Sequence, residues 1–401
     1  MGDNQRQRGE RNPDKKENKK EEHNLLAKRL WQARETAGLS LSEAAKNLGF
    51  RNYQTLSSIE KGGRGINANE LSAMARLYGR SLDYFFESDI SPDPEPLWRK
   101  LPDVGTVHVQ RMQREFLSFL ENYSNMEKLL GLKQKWMDIQ KNYTKADFSR
   151  WGLRLAEQLA AEIGSYLDLG SRPAFNLLNV VENSLRIKVL HLRLESGLSG
   201  ASIVDHKLGV GILINGGEAP WRRNFDLAHE LFHIATWNAF TRNEVGDGTV
   251  STRPEKYANA FAASLLLPEV HLRKELQEIS THGKIRIVDV IELAKNFDVS
   301  TAAILWRLVN LNVLKKQKVE EFLNEPELRK VDRLMRKDFY HKTAPPKFPA
   351  RYVSLACRCL IESKISRGTF SGYLEIDRAE VDHFLEERGF LEKNYEKIAS
   401  A

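Results

Sequence analysis

Long apolar runs are missing from this sequence. No stretch of its 401 residues approaches the ~20 apolar residues that a bilayer span needs, and the N-terminus is polar where a secretory leader would be apolar. The chain is therefore expected in the cytoplasm, with no membrane partner. Cysteine is nearly absent as well. Cys357 and Cys359 stand two apart, too close to staple a fold and wrongly spaced for a Cys-x-x-Cys metal or redox pair, so they read as packing residues in a reducing compartment. Residues 1–22 contain no Val, Ile, Leu or aromatic residue. Nothing there offsets the entropy of ordering, and a disordered tail is expected.

Charge of one sign is lacking overall: 61 Lys and Arg against 54 Asp and Glu leave only +7, a thin excess for this length. Its placement is more telling. Between His23 and Arg80 nine Lys and Arg face four Glu, whereas every charge between Ser81 and Trp98 is acidic. The Ser-Pro-Asp-Pro-Glu-Pro run at 91–96 breaks any helix there and marks a domain boundary.

The basic segment 23–88 returns apolar residues at helical spacing in short packets punctuated by glycine, which must pack on one another. Ser40 and Glu43 form a capping-box pattern, Ala44 and Ala45 allow close helix approach, and a second short helix over 52–60 turns Leu56 and Ile59 inward. Tyr53, Gln54, Thr55 and Ser58 are left outward, a face of phenol, amide and hydroxyl groups suited to base edges. Lys46, Arg51, Lys61 and Arg64 flank it as phosphate-contacting groups, and Asn52 belongs to the same candidate surface. Double-stranded operator DNA is the expected partner.

Together with Leu39-Ser-x-x-Glu-x-Ala45, Gly49, Ile59-Glu60-Lys-Gly62 and Leu82-Asp-Tyr-Phe-Phe, this segment resembles the XRE-type helix-turn-helix domains. The resemblance implies five short helices, the third in the major groove, and an ion pair that maps to Arg34 and Glu60. A turn one residue longer at Arg51-Asn52 leaves two registers open for the base-reading positions, one residue apart.

The remainder divides into a linker and helical region (89–150), a central domain (151–320) and a C-terminal helical module (321–401). Helices are expected over most of 99–165, 174–184, 221–239, 254–267, 286–297 and 300–314, with β-like runs at Ile187–Leu192 and Leu208–Asn215. The fold class is α+β and mostly helical, with a small sheet in the central domain.

The sharpest chemical signal is His229-Glu-Leu-Phe-His233. Residues i and i+4 share one helix face, so both imidazoles can grip one metal, and Glu230 between them can take a proton from water activated by it. A catalytic site needs a third ligand. Glu255 opens a small-residue helical run that ends at Pro268 and is preferred; Glu244 and Asp247 compete from a Gly-containing loop. His206, His271, Tyr257 and Arg223 are further polar candidates to which no role is assigned.

Arg223-Asn-Phe-Asp-Leu-Ala-His-Glu-Leu-Phe-His233, Ile212-Leu-Ile-Asn215, Glu255-x-x-Ala-Asn-x-Phe-Ala, Leu-Leu-Pro268 and Ala294-Lys-Asn-Phe-Asp-Val-Ser-Thr-Ala-Ala-Ile-Leu-Trp-Arg-Leu together resemble the ImmA/IrrE metallopeptidases. The resemblance implies Zn2+ on His229, His233 and Glu255, with Glu230 as general acid/base. It also implies a repressor protein of the XRE type as substrate, cut to release stress or mobile-element genes. Phe232, where many members carry Gly, is expected to bulk the ligand helix and narrow the cleft. The segment from Ile365 resembles a small helical module that holds a partner or pairs two copies of the chain as a homodimer. Two functions follow: a DNA-binding regulator with a zinc endopeptidase, or a non-proteolytic regulator or antitoxin whose zincin-like domain senses a metal or ligand or binds a partner.

Overall fold

The structure is a computed structural model that describes residues 13–80, 82–86, 96–98, 106–133, 139–194, 198–240, 253–279, 285–336 and 344–390. The fold is α+β and mostly helical. It forms two compact units, residues 1–94 with 105–118, and residues 95–104 with 119–401.

The first unit contains α1 (Pro13–Thr36), α2 (Leu41–Asn47), α3 (Tyr53–Glu60), α4 (Ala68–Tyr78), a single 3₁₀ turn at 83–86 in place of a fifth α-helix, and the first half of α5 (Thr106–Leu129). Capping boxes at Ser40–Glu43 and Asn67–Glu70 start α2 and α4, and left-handed Gly79 ends α4. Leu30, Ala33, Ala44, Leu56, Ile59, Met74 and Phe85 form its core. The tail differs from expectation, because α1 already begins at Pro13; residues 1–12 lie outside the described residues. Proline suits the first helical position, and the Lys/Glu-rich stretch extends a helix nucleated by the packed turns after it, which removes the nucleation cost.

The second unit is built on a four-stranded sheet in the order β1 (Leu97–Trp98), β3 (Gly200–Asp205), β4 (Gly209–Asn215), β2 (Lys188–Leu192). Strand β3 is antiparallel to both neighbours, and β2 runs parallel to β4, with Val189 opposite Ile212. Two strands escape the sequence reading. Pairing decides both: β1 is only two residues long, and β3 opens with Gly-Ala-Ser, which carries little strand propensity.

Val189, Val210, Ile212 and Ile214 enter the main core. There they join α6 (Lys145–Trp151), α7 (Leu153–Tyr166), α8 (Pro173–Asn179), α9 (Pro220–Ala235), α10 (Arg253–Leu266), α11 (Glu269–Ile279), α12 (Ile287–Asn296) and α13 (Thr301–Asn310). Strand β1 and the buried Phe148 of α6 show that residues first read as a linker region supply parts of this unit. Helices α14 (Lys316–Asn324), α15 (Pro326–Met335), α16 (Ala350–Ile361), α17 (Arg367–Leu374) and α18 (Val381–Glu387) complete the described chain. Cys357 and Cys359 are buried on α16, where burial pushes both thiols up to about 11. Among the described residues no helix is long and apolar enough to cross a membrane.

Candidate metal centre and nucleic-acid interface

Helix α9 starts with Pro220 in its first turn and is buried from Asp226 to Ala235. Leu227, Ala228, Leu231 and Ile234 bind it into the core and fix which face its polar residues present. His229 and His233, one turn apart, bring their Nε2 atoms within 3.1 Å. Helix α10 packs on α7 and α9 through Ala258, Phe261, Ala262 and Leu265, and its first turn delivers Glu255. One oxygen of Glu255 lies 3.3 Å from His229 Nε2 and the other 3.2 Å from His233 Nε2.

The three groups, all buried, thus converge on one point, with one ligand atom from each lying within 4.8 Å of the others. Two imidazole nitrogens and a carboxylate gathered this closely are a donor set that can hold one metal ion. Burial opposes ionisation of Glu255, but hydrogen bonds from both histidines and their charge outweigh it and hold the carboxyl well below its usual range.

Glu230 is also fully buried. Strand β3 lies against it: a Cβ added at Gly200 would sit 3.2 Å from Glu230 Oε1 and 2.9 Å from the Leu213 carbonyl oxygen.

Asn259 is a functional candidate the sequence reading passed over. Its Oδ1 lies 3.1 Å from His229 Nδ1. An amide oxygen only accepts, so Nδ1 carries a proton, and Nε2, which faces Glu255, is the ring nitrogen left to give up its proton and ligate a cation. The signal was present in the sequence: Asn259 follows Glu255 by four residues and shares its helix face.

Phe232 corrects an expectation. Its ring is fully buried among Phe148, Phe240 and Phe261, so it fills the core beneath the histidines instead of narrowing a cleft. The Tyr257 hydroxyl donates to the Phe148 carbonyl, 3.1 Å away, and Arg223 donates to the Glu218 carbonyl. His206 is exposed in the turn between β3 and β4, and His271 lies on α11. Glu244 and Asp247 lie outside the described residues.

In the first unit Lys46, Arg51, Tyr53, Gln54 and Lys61 are exposed on and around α3. Asn52 is the N-cap of α3: its side chain accepts hydrogen bonds from the Thr55 amide and hydroxyl, which ties both side chains into the cap. Ser58 is half-buried beneath the turn at Gly62–Gly63, where a Cβ on Gly63 would lie 3.1 Å from its Oγ. Tyr53 and Gln54 are therefore the better-exposed base-reading candidates. Arg34 and Glu60 form a two-pronged ion pair at 2.8 and 3.0 Å, and Arg34 also donates to the Leu39 carbonyl.

The helix-turn-helix family matches residues 32–85, and the family described as the IrrE N-terminal-like domain, a peptidase family, matches residues 182–309. The chain joins a helix-turn-helix domain to an IrrE-like peptidase domain. No curated protein and no solved structure matches it. The first match spans every DNA-contact candidate together with Arg34 and Glu60; the second spans His229, Glu230, His233, Glu255 and Asn259. The protein is thus a DNA-binding regulator with a protease-like domain.

Proposed function

We propose that this regulator is a zinc-dependent endopeptidase that cuts a repressor of the XRE type and so releases the genes that repressor silences. Residues 23–88 read DNA and residues 151–320 cut. The observation that carries the reading is the donor triangle of His229, His233 and Glu255 with Glu230 beside it on the same helix. His229, His233 and Glu255 would hold the zinc. Bound zinc supplies Lewis acidity and makes water more acidic. Glu230 takes the proton of the attacking water and passes it to the nitrogen of the departing peptide. Asn259 holds the His229 ring in the tautomer that leaves Nε2 available.

The deciding experiment incubates the zinc-loaded full chain with a helix-turn-helix repressor encoded beside it. Cleavage is expected, lost on chelation and restored by zinc. A purified protein without zinc overturns the metal assignment; zinc present with the repressor and the chain both intact overturns the peptidase reading and leaves a regulator that does not cut.

Two further outcomes are expected. Asn259→Ala frees the His229 ring to turn, and competition with a chelator should read a metal affinity about 10–100-fold weaker. Gln54→Ala should relax preference at one base pair by about 1–3 kcal/mol, whereas Lys46→Ala should weaken binding to all sequences and lower the salt slope by about one. Gel shifts across an operator library and a salt series distinguish the two, and a Gln54 variant with unchanged preference removes Gln54 from the reading face.

A further inference from the structure

Away from the metal centre, the second unit contains a cavity of about 660 Å³. The end of α5 and the residues after it, the residues leading into β2, the start of β4 and one side of α16 from Ala350 to Arg358 surround it. Among the described residues, five cations, Lys133, Arg186, Lys188, Arg351 and Arg358, line it together with one carboxylate, Glu127.

That carboxylate is already shared. Glu127 lies 3.2 Å from the Lys188 ammonium and 2.7 Å from Arg351 Nη1. Lys188 is 3 % exposed, and its remaining protons go to Ser124 Oγ and the Leu208 carbonyl at 2.5 and 2.7 Å. One negative charge between two largely buried cations leaves a positive excess where dielectric screening is poor. Burial accordingly pushes Lys188 down to about 8. At the rim, among the described residues, Arg358 has Glu362 at 3.4 Å, whereas Lys133 and Arg186 form no ion pair.

The backbone around the cavity is irregular at three points. Residues Val180–Ser184 form a π turn with Asn183 on the wall. Arg186 is held at φ 60°, a left-handed conformation unfavourable for a residue with a Cβ. Gly209 stands at φ 79°, and a Cβ there would lie 3.5 Å from Lys188 Nζ. The first turn of α16 also lines the cavity, with the donor-rich end of the helix dipole.

We infer that this cavity binds a small, multiply charged phosphate compound, with Lys133, Arg186 and Arg358 gripping it and the Lys188–Glu127–Arg351 cluster supplying the positive field behind them. Guanidinium forks suit phosphate oxygens, and the volume is that of a small-molecule site of nucleotide size. Lys133 precedes the family-matched segment while Arg351 and Arg358 follow it, so the site belongs to the way this chain surrounds its peptidase domain.

Isothermal titration of pyrophosphate and ADP into the zinc-loaded full chain tests the inference. The comparison is a Lys133→Gln/Arg186→Gly double variant, in which glycine accepts the left-handed backbone, so the melting temperature of the unliganded protein serves as a folding control. Wild type is expected to bind one or both probes, and the double variant to bind at least about tenfold more weakly at an unchanged or higher melting temperature. Binding of neither probe at millimolar concentration, or equal affinity in the double variant, overturns the site. So does a short non-operator duplex that binds through Lys133 and Arg186 while both small probes fail.

Discussion

Replacing Glu230 with Gln is expected to reduce cleavage by about 10²–10⁴-fold while zinc stoichiometry stays unchanged. The amide fills nearly the same volume at a position with no solvent exposure and a strand packed against it, so the surroundings need not move. It cannot accept the proton of the attacking water. The three donors are untouched. Metal analysis and single-turnover cleavage, measured on one preparation, separate the two effects. Glu255→Gln gives the opposite signature, since it replaces a ligand oxygen pair by an amide and should lower zinc content first. Cleavage by the Glu230 variant within about tenfold of wild type would remove Glu230 from its role as the base.

The two local patterns on which the proposed function rests are legible because each is set by the helix period. His229 and His233 stand four apart, and the Ser40–Glu43 box announces where α2 begins. Glu255 stands out because it opens a small-residue helical run, and the same four-residue step points to Asn259. What the sequence hid depends on contacts between distant segments. Strand β1 exists only through its pairing with β3. Phe232 goes to the core because Phe148, 84 positions earlier, is there to meet it. The helicity of residues 13–22 comes from the packed turns downstream, which composition alone does not reveal.

Replacing Glu60 with Ala is expected to destabilise the first unit by about 3–5 kcal/mol, because the change strands the Arg34 guanidinium in a nearly solvent-free position. The Arg34 and Glu60 side chains are only 5 % and 4 % exposed, and the neighbouring Glu35 lies mostly in solvent, where it compensates weakly. A domain of this size holds about 5–15 kcal/mol in total, so the loss is a large share. Thermal unfolding should show an early transition lowered by more than about 12 °C, with DNA binding weakened in step. The later transition and the zinc content should hold. An Arg34→Met/Glu60→Leu double variant should recover most of the stability, because two apolar side chains leave no buried charge unpaired. A shift under about 4 °C for Glu60→Ala would show that Arg34 finds another partner.

Gly200 has a bearing beyond this one chain. Its backbone needs no left-handed conformation; what excludes a larger residue is the 2.9 Å from a would-be Cβ to the Leu213 carbonyl and the 3.2 Å to Glu230. A single methyl group there has to move either the strand pairing or the glutamate. The residue at this position is therefore a marker readable from sequence alone: in a related chain that keeps both histidines but has a bulky residue here, strand and glutamate no longer stand as they do in this protein, and such a chain is the first to assay for a centre that binds metal without cutting.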